Sequence, residues 1–247
     1  MKRRALIIYC DHTTSGELPG PPHDFESYNT YLQSKVGGEW RAGEILGLRN
    51  PHVAEVKYAV KTFMSRADYT FTIFTGHGYI NEENKTCLEV MDGEVMIKDL
   101  KPIDVTRQTI IVDACREKII PATVQAEDRF FTKAFESSLG IGATRHLFDS
   151  LTLNAPGGLS ILYAASENQS AADTEGGAAY LLSLLKVAEN WRDANFSDMS
   201  LSIKQAHLLA IDYLEENFEE TIQTPKMLLD KRTTYFPFAV KNVALNG

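Results

Sequence analysis

The sequence predicts an α/β protein built on a mostly parallel β-sheet with helices on both faces. Three observations lead there. Short apolar runs of strand length alternate with segments of helical periodicity along most of the chain. The strand-like runs, among them ALIIYC (5–10) and TIIVD (109–113), are apolar at consecutive positions, the pattern of strands buried on both faces. A chain of 247 residues with 44% hydrophobic and 23% charged residues can also bury a substantial core.

The elements follow in order. ALIIYC is the first strand, and HDFESYNTYLQSK (23–35) carries Phe25, Tyr28 and Leu32 at helical spacing. EILGLR (44–49) is a second strand. Asn50-Pro51 then reads as an N-cap followed by proline at the first helical position. Val53, Val56, Val60 and Phe63 mark one face of that helix, which is expected to reach Ala67. YTFTIFT (69–75), rich in β-branched and aromatic residues, is the third strand and stops at Gly76-His77-Gly78. In CLEVMDGEVMIKD (87–99), two short apolar runs flank Asp92-Gly93, a hairpin signal. TIIVD is the fourth strand.

Residues 117–158 are the least patterned, with a partial helix expected around Phe130–Leu139. LSILYAAS (159–166) is the fifth strand, followed by the polar loop ENQSAADTEGG. AAYLLSLLKVAENW (178–191) is apolar nearly all round and reads as a buried helix. A long helix over 199–219 places Ile203, His207, Ala210, Leu214 and Phe218 inward, and FPFAV (236–240) is the candidate last strand. The β-α-β order with short connections implies right-handed crossovers, and a single domain over 1–247 is expected.

Composition narrows the function classes. A net charge of −8 argues against a general nucleic-acid or anionic-membrane binder. The opening MKRRALIIYCD has a basic start, but its apolar stretch is too short for a signal peptide. No run of about 18 apolar residues suggests a membrane span. Three widely spaced cysteines, Cys10, Cys87 and Cys115, exclude a disulfide scaffold and suit a reducing cytoplasm, the expected location.

Chemistry in a parallel sheet belongs at the C-terminal ends of its strands. Two strand ends carry reactive residues, His77 after the third and Cys115 after the fourth. If those strands are neighbours, imidazole and thiol project from one edge, where histidine can generate the attacking thiolate. The N–H groups of Gly78 and Cys115 would then stabilise a tetrahedral oxyanion. Taken singly, the bland readings prevail: a buried cysteine is usually a small hydrophobe, and a histidine beside glycine is usually a loop residue. Successive strand ends make coincidence a poor account of both together.

FTGHG followed by IIVDACRE resembles the caspase-like cysteine proteases, the clan of caspases, metacaspases and many bacterial relatives. The caspase signature Q-A-C-[RQG]-G has its histidine about 50 residues upstream. Here Cys115 follows His77 by 38 positions, closer to the metacaspase-like members. The opening strand, the hairpin after His-Gly, the ENQSAAD loop and the terminal QTP…FPF extend the likeness over most of the chain. It implies a three-layer α/β sandwich with a mostly parallel six-stranded sheet, helices on both faces and a small hairpin after the histidine. It also implies that His77 is the catalytic base, that Cys115 is the nucleophile and that Gly78 serves the oxyanion hole.

Two departures stand out: Arg116-Glu117 replaces a small or glycine-bearing segment, and Asp113 replaces the caspase glutamine two positions before the cysteine. The resemblance puts Asp113 and a residue just after the first strand, Asp11, in the pocket for the residue before the scissile bond. Two converging carboxylates favour a guanidinium or ammonium, so cleavage after Arg or Lys is expected. The competing readings are an exposed Asp11 and an Asp113 satisfied by Arg116 or a backbone N–H. Asp173 matches a metacaspase aspartate near the substrate, with a helix N-cap as the alternative.

Arg129, Lys133 and Arg145 are candidate self-cleavage sites, because 117–158 lies where caspases carry their activation linker. No cofactor is expected. Some relatives need calcium, but no ligand array resembles an EF-hand loop, and His12, His23, His52, His146 and His207 lack zinc spacing. The expected partner is a protein substrate. The resemblance suggests a pore-forming or signalling effector in bacterial immunity or cell death, and it leaves the oligomeric state open. The rival reading is a silent caspase fold serving as a binding or scaffold subunit.

Overall fold

The structure is a computed structural model that describes residues 1–117, 142–174, 176–194, 197–218 and 223–241. Strand β1 (Arg3–Tyr9) leads to helix α1 (Pro21–Gln33), strand β2 (Ile45–Arg49), helix α2 (Val53–Thr62) and strand β3 (Tyr69–Thr75). Three short antiparallel strands follow: β4 (Gly78–Ile80), β5 (Thr86–Val90) and β6 (Gly93–Met96). Strand β7 (Arg107–Asp113) precedes helix α3 (Ala143–Asn154), strand β8 (Gly158–Tyr163) and helix α4 (Ala179–Asp193). The last elements are β9 (Ser200–Ser202), α5 (Ile203–Asn217), β10 (Lys226–Leu229) and β11 (Pro237–Val240).

The main sheet has six strands in the order β10-β8-β7-β3-β1-β2, parallel except for β10. Its strands alternate between two cores. Ala5, Ile7, Phe71, Ile73 and Ile111 pack with residues of α1, α4 and α5, including Tyr28, Leu184, Leu185 and Ala206. Leu6, Ile8, Phe74, Ile110 and Val112 pack instead with Val56, Ala59 and Val60 of α2 and with Leu88, Val90 and Val95 of the β4-β5-β6 ladder. This is the three-layer arrangement, with one face covered partly by strands.

The sixth strand differs from expectation. FPFAV is a strand, but β11 pairs antiparallel with β9 outside the main sheet. The outer position is filled by β10, KMLL, whose four residues pair antiparallel with Ser160–Tyr163. A four-residue, half-exposed edge strand without β-branched residues carries little sequence signal. The start of α2 also moves. Asn50 adopts φ +46° and donates to the Asp11 carboxylate, while His52 is the cap and its N–H bonds Glu55 Oε2 at 2.8 Å.

Arg145, one of the expected self-cleavage positions, lies in the first turn of α3, a helix the sequence pattern did not reveal. Its guanidinium donates to both Glu44 oxygens at 2.9 and 2.6 Å and to Glu39 O at 2.7 Å. That burial takes it out of reach of a protease in the folded state. Arg129, Lys133 and the expected helix around Phe130–Leu139 lie outside the described residues.

The same group of charges closes the N-terminal edge of the sheet. Arg3, wholly buried, donates to Gly38 O and Glu39 O, stacks 4.6 Å above Trp40 and pairs with Asp149 at 3.4 Å. Removing one member leaves a partner charge uncompensated, which costs far more than an exposed pair would. Arg145→Ala is therefore expected to lower unfolding free energy by about 3 kcal/mol, measured by urea denaturation.

Candidate active site

The site grows from one register. β3 and β7 are parallel neighbours, and Thr75 pairs with Asp113. His77 and Cys115 each stand two residues beyond that pair, on backbones that start about 4.8 Å apart. The strands separate slowly: Gly76 N still donates to Asp113 O at 3.1 Å. Gly78 lies close against the Ala114–Cys115 segment. A Cβ there would meet Ala114 Cβ and Cys87 O at 2.9 Å and Cys115 O at 3.2 Å, so only glycine fits.

Gly78 also keeps its N–H out of the ladder. Glu89 N donates to His77 O at 3.0 Å, which makes Gly78 and Leu88 the pair without direct hydrogen bonds. The Gly78 N–H therefore turns away from β5. Beside it, Cys115 Sγ lies 3.8 Å from Ala171 O. Burial pushes the thiol above its ordinary pKa, and Glu117 and Asp113 add to that rise. Burial pushes His77 down, opposed by Glu89. The resting pair is thus a neutral thiol and a neutral imidazole, and His77 Nε2 is buried without a hydrogen-bond partner among the described residues.

Arg116 fixes the cysteine's loop. Its guanidinium stacks 4.1 Å over Tyr163 and donates to Ala165 O at 3.2 Å and Thr86 Oγ1 at 3.3 Å. Its main chain bonds Gln169 O and Asn168 N. It pairs with Glu167, not with Asp113.

Asp113 instead faces two other acids, Asp24 and Asp173, whose charges raise its pKa on top of the dominant effect of burial. Hydrogen bonds tie Asp24 to the register partners of the other two acids. Asp24, in the first turn of α1, accepts from Thr75 Oγ1 at 2.6 Å and from Ala178 N at 2.9 Å. Thr75 is the register partner of Asp113, and Ala178 that of Asp173. Asp173 accepts from Gly20 N at 3.1 Å, so it caps the start of α1 and not α4, whose cap is Ala178. A Cβ on Gly20 would lie 1.8 Å from Asp173 Oδ1, which forbids any side chain there. Burial raises Asp24 to about 8 and Asp173 to about 6. No Arg or Lys among the described residues pairs with the trio, and Asp113 Oδ2 is buried without a partner among them.

Asp11 stands apart. Its carboxylate accepts from Arg49 Nη2 at 2.6 Å and Asn50 Nδ2 at 2.6 Å, and the Arg49 bond draws its pKa down. β1 has a neighbour on each side, and Tyr9 pairs with both Arg49 and Thr75. Asp11 turned toward the β2 side. The acid that sequence reasoning missed is Asp24. Its signal was Pro21-Pro22, which set the helix start ahead of it, but first-turn aspartates ordinarily just complement the helix dipole.

The fold and this edge define a caspase-type α/β sandwich. The chain belongs to the caspase family, whose model, described as Caspase domain, matches residues 2–236, and membership indicates a cysteine peptidase. Caspase-1 from Spodoptera frugiperda is a structural neighbour at TM-score 0.58 and 12% identity, covering 92% of this chain and 86% of that one. Protein GSU0716 from Geobacter sulfurreducens aligns at TM-score 0.64 and 14% identity, covering 98% and 100%. No curated protein matches the chain. No described helix is long and apolar enough to cross a membrane, and no group of three or more described His, Cys, Asp or Glu residues is arranged to hold a metal.

The acid trio has a thermodynamic signature. Asp24, at about 8 when folded, keeps a proton that the unfolded chain releases near pH 4. The associated stability is complete below about pH 4 and is lost as pH rises to about 8. The melting temperature is expected to fall between pH 5 and 8, and to fall less steeply in Asp24→Asn, which can keep both hydrogen bonds. Equal slopes in the two proteins would assign the fall to other groups.

Proposed function

We propose that the protein is a cysteine endopeptidase, a single domain over 1–247, that cleaves a protein substrate after Arg or Lys. The observation that carries the specificity is the buried trio Asp24, Asp113 and Asp173, which no Arg or Lys among the described residues neutralises. Burying carboxylates without a counter-charge is costly, and a substrate guanidinium or ammonium relieves that cost through charge-assisted hydrogen bonds. Aspartate specificity would require a basic pocket at this edge.

The chemistry follows from the resting state. With a basic side chain held by the trio, the scissile carbonyl lies between Cys115 and the Gly78 N–H. His77 Nε2 takes the thiol proton as Sγ forms its bond to the carbonyl carbon, and the oxyanion receives the N–H groups of Gly78 and Cys115. The imidazolium returns the proton to the leaving amine as the C–N bond breaks. Water then hydrolyses the thioester with His77 as base, releasing the acid and restoring the thiol. Each oxyanion donor contributes about 3 kcal/mol to lowering the barrier.

A peptide library varied at the residue before the scissile bond tests this, with calcium or chelator present. Wild type is expected to cleave after Arg or Lys. Cys115→Ala should lose at least about a thousandfold in rate, and Asp113→Asn should lose about a hundredfold in kcat/KM for arginyl peptides. Cysteine-dependent cleavage after another residue would remove the pocket assignment. Silence under every condition would favour the scaffold reading. Intact masses of wild type and Cys115→Ala, compared in parallel, report self-processing.

A further inference from the structure

The ladder beside His77 carries a row of acids that the scheme above does not use. His77 and Glu89 face each other across β4 and β5, as the bond from Glu89 N to His77 O requires. Opposed residues in such a pair put their side chains on one face with Cβ atoms about 5 Å apart. Both carboxylate oxygens of Glu89 are held: Thr13 Oγ1 donates to one at 2.9 Å and Ser15 Oγ to the other at 2.7 Å. Thr13 ends the paired segment 12–13, Ser15 lies in the turn before segment 16–17, and Asp11 anchors the base of this hairpin through Arg49 and Asn50.

On its other side Glu89 opposes Glu94 of β6. Tyr79, next to His77 but one on the same face, donates its hydroxyl to Glu94 Oε2. The remaining titratable neighbours are thiols. Burial pushes Cys10 up to about 12 and Cys87 to about 11, so both stay neutral near pH 7. Two like charges opposite one another in a ladder repel. A cation in the next position of the row relieves them, and His77 is the group in that position able to become one.

We infer that Glu89, fixed by Thr13 and Ser15 and backed by Glu94, positions His77 and stabilises its imidazolium during proton transfer. The inference rests on the peptidase reading for the role of His77 but not for the pairing itself. The field of Glu89 already opposes the downward effect of burial on His77. No salt bridge joins the two side chains in the resting state, so the effect acts through space and grows when the imidazole charges. Asp11 gains a purpose here as well, since it holds the turn that holds Glu89.

The test is an NMR titration of the His77 ring in the Cys115→Ala protein, with and without Glu89→Gln. The expected result is a His77 pKa lower by about one unit in Glu89→Gln, a smaller drop in the same direction in Ser15→Ala, and recovery in Glu89→Asp. In active protein, the acid limb of kcat/KM should move down with the ring pKa while KM for an arginyl peptide stays constant. An unchanged His77 titration in both Glu89→Gln and Ser15→Ala would overturn the inference. The titration needs no turnover, so a shifted ring in a protein that cleaves nothing would fault the peptidase reading alone.

Discussion

The pairing of β3 with β7 is the constraint on which the rest of the site depends. Every residue at the C-terminal edge takes its place from the register Thr75–Asp113: His77, Gly78 and Cys115 beyond it, Asp113 within it and Asp24 hydrogen-bonded to it. Hydrogen bonds alone do not set that register. A slip of one residue would exchange Ile73 with Phe74 and Ile110 with Ile111 between the two cores, which the packing on both faces forbids. The apolar interior thus aligns the polar edge.

The two edges of the sheet treat charge in opposite ways. At the N-terminal edge, Arg3 and Arg145 meet Glu39, Glu44 and Asp149 in a paired and hydrogen-bonded group. At the C-terminal edge, Asp24, Asp113 and Asp173 are buried together without Arg or Lys among the described residues. The first arrangement spends no interaction on anything outside the protein. The second is costly as it stands.

The hairpin after His77 has one apolar face and one polar face. Leu88, Val90 and Val95 cover one core with one face, while the opposite face carries Tyr79, Glu89 and Glu94 alongside His77. The turn at 13–16 reaches over to clasp Glu89. A short ladder of little intrinsic stability is thereby fixed from both sides.

The sequence by itself determined the α/β class, the mostly parallel sheet and the placement of His77 and Cys115 at the ends of successive strands, while the pairing of those strands came from the structure. Continuous apolar runs and glycines around His77 are local signals, written in adjacent residues. Tertiary structure alone decided which acids converge. Asp11 follows β1 directly, yet it turned to Arg49 of β2 because β1 has a neighbour on either side. Asp24 lies in a helix whose first turn meets Thr75 and Ala178 only once α1 and α4 have packed on the same face of the sheet. Likewise β10 replaced FPFAV in the sheet, since a four-residue edge strand is defined by the partner it finds. Local patterning fixes what a segment is. Which distant side chains share a pocket is set by packing, and no spacing along the chain records it.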